Sequence, residues 1–488
     1  MAVVYISVIL FLTFIALVRE KNLYNPGVLF GGLWLFVGIL SFMNLYSFND
    51  VSNRAYGVAL MGVICFFIGV LMRNRVKVKA KKSVAYKKSN ADRLRYGFLI
   101  PFYSFVLAFT VRMFARSLSL LRRGVTMEKI RFNYRSVSAG LVVKSIIEYD
   151  VEHYIIAVAE FAAVALLPIV LMDKKSWKKR VLFFEIAAFL VMHMFVTGAR
   201  SFIFDVAIVF VIYVLMNRNL KEKFSHYFRK IPKVIIFIVI VTVALLFTFV
   251  TQLRRGSGYL LHEIYAYFSI SFRLLDTHLS IMDLKQEFTN GMTFLHGFLR
   301  PILVTLKFVG IPYPESYQKA IELINANNDF YAVGKGSANS FVTVFYYFYM
   351  DFGYLSVVVG SMLYGYVSQA LYLAVQKKPD KRNQSMYLLY SIGLVLSFVR
   401  LHFTAHRYAY AFLILFFAFG RVRSSSKEKE NELREKLEIL LGKKAEDDDI
   451  EEDSEAEFED EYIEEPEVNE YDETYDEASD ETVINEEN

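Results

Sequence analysis

Arginine side chains beside the apolar segments are the residues of this 488-residue chain best suited to chemistry. Arg200 stands in "FVTGARSFIF" (195–204), at a short turn between two apolar segments. An arginine there opposes the usual charge bias of membrane proteins and needs a reason. A guanidinium keeps its charge and donates two parallel hydrogen bonds to phosphate. The pattern therefore predicts a diphosphate site, with Arg200 as catalytic residue and these pyrophosphate-binding residues: Arg254, Arg255, Arg273, Arg300, Arg400 and Arg407.

Three further polar side chains accompany these arginines on the side of the membrane that is predicted to be outside: Asp276, His296 and Asp351. For each arginine the alternative role is contact with lipid head groups, because long cationic side chains reach the membrane surface from an apolar setting.

Charged residues also occur inside the apolar segments. Arg112, Glu160, Glu185 and Asp205 are costly to place in a membrane and are expected to pair or to line a cavity. Asp205 follows Arg200 by about one helical turn and could orient its guanidinium.

No cofactor or metal is predicted. The chain has no Gly-rich phosphate loop, no HExxH and no GxSxG, and its single cysteine, Cys65, lies in an apolar run. Glu148, Asp150 and Glu152 alternate before an apolar segment and could hold a cation, but acidic residues at helix ends are common. Nothing in the chain indicates binding of nucleic acid.

These residues must be positioned by membrane helices. Hydrophobic residues make up 55% of the chain, and many of the apolar runs are long enough to cross a hydrocarbon layer of about 30 Å as helices. The sequence predicts an all-α polytopic integral membrane protein with about eleven spans: 2–18, 27–46, 55–72, 97–116, 153–172, 181–197, 201–216, 231–251, 354–375, 385–401 and 406–420.

The distribution of Lys and Arg predicts the orientation of these spans. Loops rich in both residues are expected to be cytoplasmic, namely 19–26, 73–96, 173–180, 217–230 and 377–383. The N-terminus is then outside and the acidic C-terminal tail is cytoplasmic. Loop 117–152 is discordant, because it lies outside on this count and carries six basic residues.

The domain organisation follows from these spans. Residues 1–251 are predicted to form the first eight spans, 252–353 a large extracytoplasmic loop with amphipathic helices, and 354–420 the last three spans. Residues 421–445 are predicted to form a cytoplasmic amphipathic helix. Residues 446–488 contain 24 acidic residues and no Lys or Arg, and are predicted to be a disordered acidic tail.

Three stretches resemble a known family. "NPGVLFGGLWLFVGILSF", "TGARSFIF" and "GSANSFVTVFYYFYMDFGYLSVVVGSMLYG", together with the large late loop, resemble the bacterial oligosaccharide repeat-unit polymerases, the Wzy-type O-antigen and capsule polymerases. The resemblance covers roughly residues 20–420. A spaced Arg-x10-Gly pattern of some members is not matched, because Gly310 falls one position short of it when counted from Arg300.

The resemblance implies a membrane glycosyltransferase at the outer face of the bacterial cytoplasmic membrane. It would polymerise repeat units carried on undecaprenyl pyrophosphate into O-antigen, capsule or exopolysaccharide, with lipid-linked oligosaccharides as donor and acceptor. The resemblance also suggests a chain-length regulator as protein partner. If the transfer inverts the sugar, the implied reaction needs a base for the acceptor hydroxyl, and the candidates, which the sequence does not rank, are Asp276, His296 and Asp351. Two alternatives stay open: an O-antigen-ligase-like transferase, and a flippase or transporter of lipid-linked oligosaccharide.

Overall fold

The computed structural model describes residues 1–75, 93–173, 176–198, 201–217, 260–334 and 336–420. The helices in this part of the chain are, in order, α1 Ala2–Glu20, α2 Pro26–Met43, α3 Asn53–Arg75, α4 Tyr96–Arg122, α5 Met127–Asn133, α6 Ile146–Leu171, α7 Trp177–Thr197, α8 Ser201–Met216, α9 Leu260–Ser269, α10 Ser271–Lys285, α11 Met292–Phe308, α12 Glu315–Ala326, α13 Thr343–Phe352, α14 Tyr354–Lys377, α15 Lys381–Val395 and α16 His406–Ala418. A short antiparallel hairpin, β1 Tyr331–Val333 and β2 Gly336–Ala338, precedes α13.

The helices confirm an all-α polytopic membrane protein. Seven of the described helices are long and apolar enough to cross a membrane: α1, α2, α3, α4, α6, α7 and α14. Two shorter apolar helices, Phe202–Met216 and His406–Ala418, match the predicted spans 201–216 and 406–420. The predicted span 231–251 lies outside the described residues, as do 421–445 and 446–488. The count of eleven spans therefore stays a prediction.

One predicted span is shorter in the structure. The span 385–401 corresponds to α15, which ends at Val395. Beyond it the carbonyl of Ser397 accepts a hydrogen bond from the amide of Val344 in α13, at 2.8 Å. A backbone group that bonds to another element in this way is not available to continue the helix. The chain then makes a single 3₁₀ turn at 402–404 and enters α16.

The described part of the predicted outer loop is folded. It contains α9 to α13 and the hairpin, and its first two described helices, α9 and α10, meet at Ile270. Which side of the membrane this region faces stays a prediction.

Helix α6 is the most buried of the seven described helices that could span a membrane. It packs against α7, α8, α15 and α16, and its middle is rich in alanine, which allows neighbouring helices to approach closely. Elsewhere α3 and α14 pack tightly at paired glycines: a Cβ added to Gly69 would meet the carbonyl oxygen of Met362 at 2.0 Å, and one added to Gly365 would meet that of Phe66 at 2.1 Å. The packing around α6 brings the charged residues together.

Candidate functional site

A cavity of about 280 Å³ opens between α5, α6, α7, α8 and α16. Its lining combines cationic, acidic and aromatic side chains: Arg131, Phe132, Tyr134, Arg135, Glu160, Phe161, Thr197, Asp205 and Arg407. Since the lining residues come from five helices and the loop after α5, the cavity exists only when the bundle is assembled.

The short helix α5 brings Arg131 to the cavity. The side chain of Thr126 caps α5 by accepting a hydrogen bond from the amide of Lys129, and Ile130 is fully buried beneath it. Arg131 lies against the end of α7, where a Cβ added to Gly198 would meet its Cδ at 3.0 Å. Gly198 has a φ of 58°, which favours glycine at this helix end. Burial lowers the pKa of Arg131.

The carboxylate of Glu152 is only 1% exposed and contacts two lining residues, Tyr134 and Arg135. We call its position the rear of the site. The residue lies in a π-helical turn of α6, Glu152–Ile156, a distortion that occurs frequently at functional sites. Arg135 donates to Glu152 through Nε at 2.9 Å and through Nη2 at 3.0 Å, and the hydroxyl of Tyr134 donates to the same carboxylate. Glu152 is therefore held by two neighbours of the α5–α6 loop.

The contact with Glu152 shifts the pKa of both Tyr134 and Arg135. Burial opposes the charge of Arg135, but its pKa is nevertheless raised because the negative charge of Glu152 stabilises the guanidinium. The pKa of Tyr134 is raised by burial and by the charge of Glu152, so that its hydroxyl stays protonated and can donate. Arg135 is thus committed to Glu152, and of the described lining residues Arg131 and Arg407 are the other two cations.

Arg407 and Asp205 form the opposite part of the lining. The guanidinium of Arg407 lies 5.8 Å from the ring centroid of Phe161, and no salt bridge joins it to an acid of the described residues. Asp205 is 7% exposed, and its Oδ1 has no hydrogen-bond partner in that same part of the chain. A buried carboxylate oxygen without a partner is costly, so a residue of this kind indicates a functional role.

Two more of the predicted arginines act on this region. The charge of Arg400 interacts with those of Asp205 and Arg407, and that of Arg300 interacts with His153 and His406. The two histidine rings lie with centroids 4.4 Å apart, and Nε2 of His406 is 2.8 Å from the carbonyl oxygen of His153. The charges of Arg300 and Arg400 thus act on residues of the π-helical turn and the cavity, and of these three arginines Arg407 belongs to the described lining.

Arg273 lies in a different cluster. It donates to the carbonyl oxygens of Asn49 and Ser269 at 2.8 and 2.7 Å, and to Oδ1 of Asn44 at 2.8 Å. Burial lowers its pKa. These contacts tie α10 to the segment after α2, and Arg273 is absent from the cavity lining.

The three predicted bases also lie away from the cavity lining. Asp276 accepts a hydrogen bond from the amide of Ser52 at 2.8 Å, and Nδ1 of His296 is 2.8 Å from the carbonyl oxygen of Thr404. Asp351 accepts from the amides of Thr293 and Phe294 at 2.9 and 3.0 Å, at the beginning of α11. All three carboxylate or imidazole groups therefore have structural partners.

Other predicted residues have simple outcomes. Arg200, Arg254 and Arg255 lie outside the described residues. Glu148 pairs with Arg112 and Arg116 at 2.8 and 2.7 Å. Within the described ranges no group of three or more His, Cys, Asp or Glu side chains could hold a metal ion.

Four side chains of this region were not singled out from the sequence: Arg131, Tyr134, Arg135 and His193. One feature of the sequence pointed toward Arg131 and Arg135. Loop 117–152 is predicted to lie outside, yet it holds more basic residues than the charge bias of membrane proteins leads one to expect there. The structure gives that excess a reason, because Arg131 and Arg135 line the cavity. His193 gave no such signal.

Comparison with known proteins adds one match. A family model described as O-antigen polysaccharide polymerase Wzy matches residues 1–424. No curated protein and no solved structure matches the chain. The matched residues include the whole cavity.

Proposed function

Because the chain belongs to the O-antigen polysaccharide polymerase Wzy family, we propose that it is a membrane glycosyltransferase that joins oligosaccharide repeat units carried on undecaprenyl diphosphate. The donor and acceptor are both lipid-linked, and the reaction takes place at the outer face of the bacterial cytoplasmic membrane. The distribution of Lys and Arg among the loops supports this orientation, with the N-terminus outside and the acidic tail inside.

The single observation that carries the proposal is the composition of the cavity. Arg131 and Arg407 lie in its lining, and no acid of the described residues forms a salt bridge with either of them; the charge of Arg400 interacts with that of Arg407. A departing diphosphate gains negative charge, and cations placed beforehand in a poorly hydrated site stabilise that charge strongly. Arg200 is proposed to contribute as well, because only Ala199 separates it from Gly198 at the end of α7.

We place the base at Asp205 rather than at Asp276, His296 or Asp351. Its unpartnered Oδ1 belongs to a cavity-lining residue, whereas the other three have structural partners. In the proposed step the acceptor hydroxyl oxygen forms a bond to the anomeric carbon of the donor sugar. The bond from that carbon to the diphosphate oxygen breaks, the diphosphate leaves with the electron pair, and Asp205 takes the hydroxyl proton.

The test is polymerisation by the purified full-length chain in phospholipid vesicles. Undecaprenyl-diphosphate-linked repeat unit is supplied as the only glycan, and the products are separated by length on a gel. A polymerase forms a ladder of repeat units from this substrate alone, whereas a ligase requires a different acceptor and a flippase forms no new bond. A wild-type protein that forms no ladder would overturn the proposed function.

The matched variants are Arg407→Ala and Arg112→Ala. Arg407→Ala is expected to abolish the ladder. Arg112→Ala is expected to keep it, because the Arg112 side chain is 61% exposed and Arg116 continues to pair with Glu148. A chain-length regulator, if it acts on this protein, would narrow the distribution of ladder lengths when added.

A further inference from the structure

His193 of α7 lies between two carboxylates of α6. Its Nε2 is 3.8 Å from Oε1 of Glu152, and its Nδ1 is 3.5 Å from Oε2 of Glu160. The ring is 3% exposed, and neither nitrogen forms a regular hydrogen bond within the described residues. The imidazole therefore lies between two acidic side chains, and each carboxylate oxygen is slightly farther from a ring nitrogen than in a regular hydrogen bond.

The two carboxylates differ in their freedom to move. Glu152 is fixed from behind by Arg135 and Tyr134. Glu160 lines the cavity, and its charge interacts with that of Arg407, which lines the same cavity. The order from the rear of the site to the cavity is thus Glu152, His193, Glu160.

We propose that His193 is a positioning residue: it holds the Glu160 carboxylate on its own side of the cavity, and so keeps Arg407 available to the diphosphate. Glu152, whose Oε1 is 3.8 Å from Nε2, attracts the imidazole from the other side. Without the imidazole, Glu160 loses its nearest partner and turns to Arg407, and the resulting ion pair competes with the diphosphate. The inference deepens the proposed function and rests on it.

The experiment measures two quantities for each purified full-length variant, the affinity for undecaprenyl diphosphate in vesicles and the rate of polymerisation. His193→Leu is expected to lower both by about tenfold or more, a size of effect within the range of couplings between side chains of one charged network. His193→Gln retains an amide donor toward Glu160 and is expected to fall between wild type and His193→Leu.

The decisive variant is the combination of His193→Leu with Glu160→Gln. If Glu160 harms binding by capturing Arg407, then loss of His193 should weaken diphosphate binding only while Glu160 is present. In the Glu160→Gln background, His193→Leu should therefore leave the affinity unchanged. Equal losses in both backgrounds would mean that His193 only supports the packing, and would overturn the inference.

The control is His278→Leu. His278 is buried to a similar extent, with Nδ1 2.7 Å from the carbonyl oxygen of Leu274 and Nε2 unpartnered among the described residues, but it does not line the cavity. It is expected to keep the wild-type affinity. The inference would be wrong if the wild-type protein and the His193→Leu variant bind undecaprenyl diphosphate and polymerise equally well. The proposed function would not be contradicted by that result.

Discussion

Asp205 of α8 and Arg407 of α16 line one cavity, although α8 stands in the middle of the described helices in chain order and α16 at their end. Asp205 supplies an unpartnered carboxylate oxygen, and Arg407 supplies a guanidinium with no salt bridge among the described residues. A base and a cation in one small space meet the two requirements of glycosyl transfer from a diphosphate donor. Asp205 is thus proposed to act as the base, and Arg407 as a cation that binds the diphosphate.

Asp205→Asn should remove the base and leave the cations in place. The expected result is loss of polymerisation by about a hundredfold or more, with affinity for undecaprenyl diphosphate equal to or above that of wild type. Parallel measurement of turnover and of binding checks both parts. A variant that polymerises at the wild-type rate would return the base to Asp276, His296 or Asp351.

Arg407→Lys keeps a positive charge but loses the planar pair of donors. Because a lysine cannot match a phosphate bidentately, we expect polymerisation to fall by about tenfold or more even though the charge remains. Arg407→Ala should be worse than Arg407→Lys. If both variants polymerise at the wild-type rate, Arg407 does not act on the diphosphate.

Asp351→Ala should affect stability before chemistry. The substitution leaves the amides of Thr293 and Phe294 without their acceptor at the beginning of α11, and one unsatisfied buried donor costs about 1–3 kcal/mol. The measurement is the unfolding midpoint of the detergent-solubilised protein beside its rate of polymerisation. An unchanged midpoint together with lost turnover would favour a catalytic role for Asp351.

Arg200→Ala is the test of the motif "TGAR". We expect this variant to abolish polymer while the protein still accumulates in the membrane, because Arg200 is proposed to act on the diphosphate and not on folding. Immunoblotting of membranes and analysis of surface polysaccharide provide the two readings. Polymer of normal length in the variant would exclude Arg200 from the site.

The ion pair of Asp283 and Arg54 predicts a dependence of stability on pH. The hydrogen bond from Arg54 lowers the pKa of Asp283 below its ordinary value in the folded chain. A lowered pKa means that the folded state holds the proton less tightly than the unfolded state does. The pair therefore stabilises the fold above about pH 4, and the contribution is lost as the pH falls through the lowered pKa.

Asp283→Asn tests this dependence. At pH 7 the variant should unfold at a lower temperature than wild type, and the difference should shrink as the pH is lowered below about 4. The expected difference is small, because both side chains are partly exposed to solvent. A difference that stays constant with pH would show that the charge of Asp283 does not contribute.

Sequence reasoning predicted much of the helical framework. The predicted spans 2–18, 55–72, 97–116 and 181–197 each coincide with a described helix, because a long apolar run in lipid can satisfy its backbone only as a helix. Glu160 and Asp205 were expected to pair or to line a cavity, because an acidic side chain inside an apolar segment is costly whatever its neighbours are. Both residues line the cavity. These inferences need no knowledge of which helices are neighbours.

The partners of each charge could not be predicted in the same way. In the sequence Arg273 and Arg407 look alike, since each is an arginine close to an apolar helix. The structure commits Arg273 to backbone carbonyls and leaves Arg407 in a cavity, and only the packing of helices distant in the chain makes that distinction.

The sequence by itself determined that the chain forms membrane helices that carry arginines and a few acidic residues whose burial in a membrane costs free energy. Only the tertiary structure decided that His193 lies between Glu152 and Glu160, that Glu160 and Asp205 line one cavity, and that Oδ1 of Asp205 has no partner among the described residues. The physical reason is that burial in lipid is a property of each segment taken alone. A contact between side chains is a property of two segments, and its geometry is fixed when the helices pack.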